Sequence, residues 1–145
     1  MARDLKIYRC LDCGYVVDVI DFGKRQVITK GTSFAKTTTI ADAVLVCCSK
    51  EMELLVPNTT EASSEKHLPT VKFIEGGKIS VKVAHPMIEG HYIKWIAVVS
   101  GDRVERLELE PDQAPEVTFY VGDEIDVDVY AYCNLHNLWK TNIKK

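Results

Sequence analysis

Four histidines and five cysteines are the residues of this chain with the most chemistry in them, and they separate into two sets. The first set lies in three segments: Glu65-Lys66-His67-Leu68-Pro69, His85-Pro86-Met87-Ile88-Glu89-Gly90-His91 and Cys133-Asn134-Leu135-His136. They contain every histidine and one cysteine. For any one of these histidines a surface or hydrogen-bonding role is the ordinary reading. Four of them with a cysteine, each beside a turn, point instead to a metal site. A closed structural zinc site takes four ligands, so His67, His85, His91, His136 and Cys133 are one too many for it. Five donors leave one octahedral position free, and imidazole with thiolate suits a redox iron that receives a small ligand there.

The second set is Cys10, Cys13, Cys47 and Cys48. Cys10-Leu11-Asp12-Cys13-Gly14 reads as a knuckle in which two thiolates grip one metal, and Gly14 supplies the backbone freedom the tight turn needs. Cys47 and Cys48 are adjacent, and on an extended strand they would point to opposite faces. To share a metal, the chain must bend there, at the expense of a regular tetrahedron. Four thiolates suit zinc and iron alike, and the spacing alone slightly favours zinc in a structural ribbon. A vicinal disulfide at Cys47-Cys48 is the further alternative.

The elements that position these ligands read as β throughout. After residues 15–20, a short β-branched strand, comes a turn at 21–24. A threonine-rich polar insert follows at 26–42, either an extra hairpin or a loop, and residues 44–46 form a further strand that delivers Cys47. Residues 57–64 are the one clear composition shift and read as a linker, with Asn58-Thr59-Thr60 as linker sequence and not a glycosylated site. This divides the chain into an N-terminal domain, 1–56, and a C-terminal domain, 65–145. In the latter, strands are expected at 70–75, 78–83, 92–99, 104–109 (an edge), 116–121, 124–132 and 139–143, with no helix. Ile79, Val81 and Val83 share one face. Ile125, Val127, Val129 and Ala131 share another, with Asp126 and Asp128 opposite. Short antiparallel strands with turns between them predict an all-β sandwich.

The bulk properties agree with a globular protein: 145 residues, 46% hydrophobic, 27% charged. A net charge of −3 offers nothing to nucleic acid or an anionic membrane. The first residues lack the apolar core of a signal peptide, and no apolar run is long enough to span a bilayer, so a cytoplasmic location is expected. In a reducing compartment paired cysteines more often hold metal than form disulfides.

The three ligand segments, extended through Tyr92-Ile93-Lys94-Trp95-Ile96 and Asn137-Leu138-Trp139-Lys140, together with Pro111-Asp112-Gln113-Ala114-Pro115, resemble the superoxide reductases of the desulfoferrodoxin type. Cys10-x-x-Cys13-Gly14 and Cys47-Cys48 resemble that family's small desulforedoxin-like domain. The resemblance implies an immunoglobulin-like β-sandwich holding a non-haem iron, with His67, His85, His91 and His136 equatorial and Cys133 axial. It implies one-electron reduction of superoxide to hydrogen peroxide without release of dioxygen. It also implies an accessory four-thiolate iron, with zinc as the other candidate, a homodimer, and a rubredoxin-like electron donor. The chain departs from the family pattern in the long connection between its cysteine pairs. It departs again in Ser49-Lys50-Glu51-Met52, where a Gly and a Pro are usual after the Cys-Cys pair.

The catalytic roles implied are these. Lys66 steers superoxide in and assists protonation of the peroxide, since a positive charge beside the free position concentrates a small anion. Glu65 occupies the sixth position of the oxidised iron once product has left. Cys133 pushes charge toward the reacting oxygen, as the thiolate of P450 haem does, and backbone N–H groups near Asn134 and Leu135 tune its sulfur. Two other classes of function compete with this reading. One is a non-catalytic iron electron carrier and the other a zinc-stabilised binding module.

Overall fold

A computed structural model of the chain describes residues 5–20, 26–29, 36–39 and 45–145, with backbone alone for 19–20, 26–29 and 36–39. The chain divides into two compact units, Arg3–Leu55 and Val56–Lys145. No helix among the described residues is long and apolar enough to cross a membrane.

In the first unit, β1 (Leu5–Arg9) lies between β2 (Val16–Ile20) and β7 (Glu53–Leu55) in an antiparallel sheet. Alternation in β1 puts Leu5 and Ile7 on a buried face together with Leu55. Inside the insert, β3 (Gln26–Thr29) pairs with β4 (Lys36–Thr39), so the hairpin alternative is the one realised there. The turn at 21–24, Val44, and the insert's residues 30–35 and 40–42 lie outside the described residues. A last short hairpin pairs β5 (Val46–Cys47) with β6 (Lys50–Glu51).

The second unit is two antiparallel sheets. β10 (Ile93–Ser100), β11 (Arg103–Glu108), β13 (Asp126–Cys133) and β14 (Asn137–Lys144) form one in the order β11-β10-β13-β14. β8 (Thr70–Ile74), β9 (Lys78–Lys82) and β12 (Glu116–Tyr120) form the other in the order β12-β9-β8. This four-on-three arrangement is an immunoglobulin-like sandwich. The expected edge strand, now β11, is an edge. Ile79, Val81 and Val83 face Ile96, Val98, Val127, Val129 and Ala131 across the core. Each such aliphatic side chain contributes about 1.5–3 kcal/mol relative to an exposed one. Cys133 belongs to the same cluster and is fully buried, so one ligand is fixed by the core itself.

Two expectations need correction. A one-turn helix, α1 (Ser64–His67), stands where none was expected. Its bonds, Lys66 N–H to the Ser63 carbonyl (3.2 Å) and Leu68 N–H to the Ser64 carbonyl (2.9 Å), close one turn only, too short to leave a periodic signal. Pro69 keeps Leu68 extended (φ −68, ψ 127) and stops the turn there. The second concerns β13. Val127, Val129 and Ala131 are buried as expected, but Ile125 is exposed and precedes the strand, while Asp128, Tyr130 and Tyr132 on the opposite face are buried too. Cross-strand partners cover that face. Asn142 Nδ2 donates to Asp126 Oδ1 (2.7 Å) and Asp128 Oδ1 (2.8 Å), Lys140 lies over the Tyr130 ring, and Trp95 stacks on Tyr132.

Candidate metal centres

His67, His85, His91, His136 and Cys133 each turn one donor atom to a common point, all within 4.8 Å of one another. Four local structures deliver them. α1 carries His67. The Ser63 carbonyl, which also accepts the Lys66 N–H at 3.2 Å, takes the His67 Nδ1–H at 2.7 Å, and that bond leaves Nε2 as an acceptor facing the group. His85 repeats the device with its neighbour, Nδ1–H donating to the Pro86 carbonyl at 2.6 Å, and its Nε2 sits 3.4 Å from Cys133 Sγ. His91 ends a two-residue turn closed by reciprocal bonds with Ile88 (3.2 and 3.1 Å), in which Gly90 takes φ +89. His136 comes from the loop after β13 and presents Nδ1, 3.1 Å from His67 Nε2 and 3.8 Å from Cys133 Sγ.

Burial sets the protonation. It lowers the His67 pKa, helped by the other imidazoles and Lys66, and it lowers His85 further, to about 4. Both rings are therefore neutral, the ligating form, at neutral pH. Burial also pushes the Cys133 thiol up, offset in part by backbone N–H groups of Leu135 and His136 directed at the sulfur. The expected Asn134 N–H does not join them; it donates to the Tyr92 carbonyl at 3.2 Å.

The donors fit a cation. His67 Nε2, left as an acceptor by the Nδ1–H bond to Ser63, lies 3.1 Å from His136 Nδ1. His91 Nε2 is buried with no hydrogen-bond partner among the described residues. A buried acceptor without a partner costs about 1–3 kcal/mol, and a metal ion would remove that cost at His91 while engaging the other four donors. Four imidazoles and a thiolate match iron.

Glu65 and Lys66 are on α1 beside His67, and both are exposed. Lys66 is near enough for its charge to act on His67, but neither residue hydrogen-bonds to the ligand group. Three residues have supporting roles that the sequence did not assign them. Trp139 stacks on His67 (4.9 Å between centroids) and donates Nε1–H to the His136 carbonyl at 2.9 Å. Its position three residues after His136 was the available signal. Asn58 bonds the Lys140 backbone through both ends of its carboxamide (3.1 and 2.9 Å), and Thr60 Oγ1 accepts from Asn137 at 3.0 Å. These bonds tie residues 58–60, read as linker, to β14.

The N-terminal group brings Cys10, Cys13, Cys47 and Cys48 together within the same 4.8 Å. The knuckle is closed by Cys10 N–H to the Tyr15 carbonyl (2.8 Å) and Gly14 N–H to the Cys10 carbonyl (2.9 Å), with Gly14 at φ +75. The bend required at the adjacent pair occurs at Cys48 (φ +52) and Ser49 (φ +61), the two central residues of the β5–β6 turn. Positive φ at both is the signature of a type I′ turn. The two cysteines are free, with sulfurs 3.9 Å apart, so no vicinal disulfide forms. Cys13 N–H, pointing at the Cys10 sulfur, holds that thiol down to about 7. The Cys10 and Cys13 sulfurs beside Cys47 push its thiol up to about 12. Four sulfurs this close together suit a cation.

A family model described as desulfoferrodoxin matches residues 59–142. The desulfoferrodoxin homolog of Methanothermobacter thermautotrophicus is 40% identical over 142 residues, covering 96% of this chain and 99% of that protein. The homolog of Archaeoglobus fulgidus is 37% identical over 144 residues, covering 97% and 99%. The crystal structure of the superoxide reductase from Treponema pallidum is similar at a TM-score of 0.62 and 34% identity, covering 74% of this chain and 92% of that one. Both donor sets match the two iron sites of such proteins. With its two ligand groups and its sandwich in place, this chain belongs to the desulfoferrodoxin family.

Proposed function

We propose that the chain is a superoxide reductase. Superoxide takes one electron and two protons and leaves as hydrogen peroxide, at an iron held by His67, His85, His91, His136 and Cys133. The observation that carries this reading is the five convergent donors, with the buried His91 Nε2 among them left without a hydrogen-bond partner among the described residues. Iron bound there would supply the single electron and a Lewis-acid centre. The chain's own residues do the rest. The Ser63 and Pro86 carbonyls hold His67 and His85 in the tautomer that ligates. Cys133, fully buried, puts its sulfur on the core side of the group while His91 and His136 are only half-buried, so the anion approaches from the histidine side. Lys66, exposed beside His67, raises the local concentration of superoxide and holds a water from which the product takes a proton. Glu65, its neighbour, would supply a carboxylate to bound iron once product has left.

The N-terminal residues 1–56 supply the accessory iron at Cys10, Cys13, Cys47 and Cys48, with zinc as the other candidate metal. Residues 57–64 connect them to the reductase domain, 65–145. Exposed Cys13 and Cys48 offer an entry for electrons from a rubredoxin-like donor, and exposed Leu11, Tyr15 and Val46 beside them suit the contact of a cytoplasmic homodimer.

Pulse radiolysis of the iron-loaded chain tests the activity: superoxide should disappear in a fast second-order step, with peroxide formed and no dioxygen evolved. A decay no faster than the spontaneous one would leave the electron-carrier reading, and a colourless zinc protein the binding module. Lys66→Ala should slow the step several-fold and flatten its dependence on ionic strength; an unchanged rate sinks the steering role. Glu65→Ala should change the ferric spectrum more than the rate.

A further inference from the structure

The five ligands are not anchored alike. His67 and His85 have their second ring nitrogens tied to backbone carbonyls, and the His136 carbonyl is held by Trp139. Cys133 is set in the core. The His91 ring makes no hydrogen bond among the described residues, and its Nε2 is the buried atom left without one. Its position therefore depends on its backbone, the turn from Ile88 to His91. That turn is exposed at Ile88, Glu89 and Gly90, and its own closure is two weak bonds of 3.1 and 3.2 Å.

What fastens the turn is the side chain of Asn134. Its Oδ1 accepts the Tyr92 N–H at 3.0 Å, and its Nδ2 donates to the Gly90 carbonyl at 2.9 Å. Its backbone N–H donates to the Tyr92 carbonyl at 3.2 Å. The carboxamide thus grips the chain immediately before and immediately after His91, as a strand partner would, and it follows Cys133 directly in the chain. Few side chains can do this. It takes a donor and an acceptor in one plane on a short stem; aspartate lacks the donor and alanine both.

We propose that Asn134 is the positioning residue for His91, locking the turn that carries this ligand to the loop that carries Cys133, so that the most weakly anchored imidazole is held against the most rigid ligand. The inference rests on the five-ligand group binding a metal, and not on superoxide being its substrate.

Cobalt(II) is a suitable probe, read by its thiolate charge-transfer absorption during competition with a chelator in the full-length protein. Loss of a residue outside the ligand shell typically weakens metal binding about 10–100-fold, and Asn134→Ala should fall in that range with the amide protection of β10 and β13 retained. Asn134→Asp, which keeps the acceptor for Tyr92, should lose less. Placed on a His91→Ala background, Asn134→Ala should add less than about twofold, because the ligand it serves is gone; on a His67→Ala background it should keep its full effect. Wild-type affinity in Asn134→Ala overturns the proposal. So does an equal loss on both backgrounds, or loss of β13 protection together with the metal, which would make Asn134 a residue of the fold alone. Superoxide kinetics enter none of these outcomes, so failure here is separate from failure of the activity.

Discussion

At the N-terminal group the four sulfurs come from two short turns, Cys10 to Cys13 and the Cys47-Cys48 pair, and Cys13 and Cys48 are exposed. At the five-ligand group, Cys133 is fully buried, His67 and His85 are buried, and the ligands are delivered by four separate structures at one end of a sandwich whose core contains none of the imidazoles. Among the described residues, the unit that carries the first group has few buried apolar side chains, chiefly Leu5, Ile7 and Leu55. The second stands beside a continuous cluster drawn from both sheets. The contrast leads to an expectation about dependence: the N-terminal unit should need its metal in order to fold, whereas the sandwich should fold on its own core.

Metal removal should break that comparison open most widely. Binding of a structural metal in a small cysteine site supplies about 10–16 kcal/mol, as much as the whole stability of a typical domain, about 5–15 kcal/mol. Chelation under reducing conditions should therefore abolish amide protection in β1 while β10 and β13 stay protected and the sandwich still unfolds cooperatively. Hydrogen exchange of the chelated protein reads both units at once. Persistent protection of β1 would put the two units on an equal footing.

Single ligands should sharpen the contrast at the level of chemistry. Cys133→Ser removes the buried thiolate and should lower the second-order rate with superoxide by more than about 100-fold, beyond the range for residues outside the ligand shell. Cys13→Ser should bleach the N-terminal absorption and leave that rate within about twofold. Pulse radiolysis of the two variants side by side decides the matter, and a large rate loss in Cys13→Ser would join the two groups into one machine.

How much of this could be read from the chain follows the same divide. The ligand sets were legible because histidine and cysteine are few and lie beside turns, and the inner faces of β9 and β13 were legible because Ile79-Val81-Val83 and Val127-Val129-Ala131 alternate. What was not legible depends on partners distant in sequence. Asp128 reads only as a residue of the face opposite Val127 and Val129 until Asn142 and Lys140 are brought across from β14. Asn58 reads as linker until its carboxamide meets Lys140. Asn134 reads as a tuner of sulfur until Gly90 and Tyr92 arrive beside it. α1 is one turn long, below the length at which a helical period exists.

A smaller effect concerns pH, in the metal-free protein. His67 and His85 are both shifted down by burial, so the unfolded chain binds protons there more readily than the folded one. For His85 the folded value is about 4 against 6.5 unfolded, so stability is complete above pH 6.5 and is lost progressively as the pH falls toward 4. The urea midpoint of the metal-free sandwich should decline across that window, and His85→Gln should flatten the decline. In the N-terminal group Cys10 and Cys47 shift in opposite directions, so no single slope is expected there. A midpoint indifferent to pH between 6.5 and 4 would remove burial as the cause of the neutral ligands.

The smallest effect lies in two turns that both need a left-handed residue. The turn before His91 places Gly90 at φ +89, and a Cβ there would meet nothing within 4 Å. Gly90→Ala therefore costs only the dihedral, about 1–2 kcal/mol, and should lower the midpoint of the sandwich. In the β5–β6 turn the same demand falls on Ser49 at φ +61, which has a Cβ and bears that strain already. Ser49→Gly relieves it but makes the unfolded chain more flexible, by about 0.4–1 kcal/mol, so the net gain should be under about 1 kcal/mol. The two substitutions should thus move their units in opposite directions, downward for the sandwich and slightly upward for the metal-loaded N-terminal unit. Thermal melts followed by amide protection in β13 and β1 separate the two. If Ser49→Gly destabilises, the turn at Cys48 and Ser49 is held by its sulfurs against no strain at all, and the adjacent cysteines bend the chain at no cost.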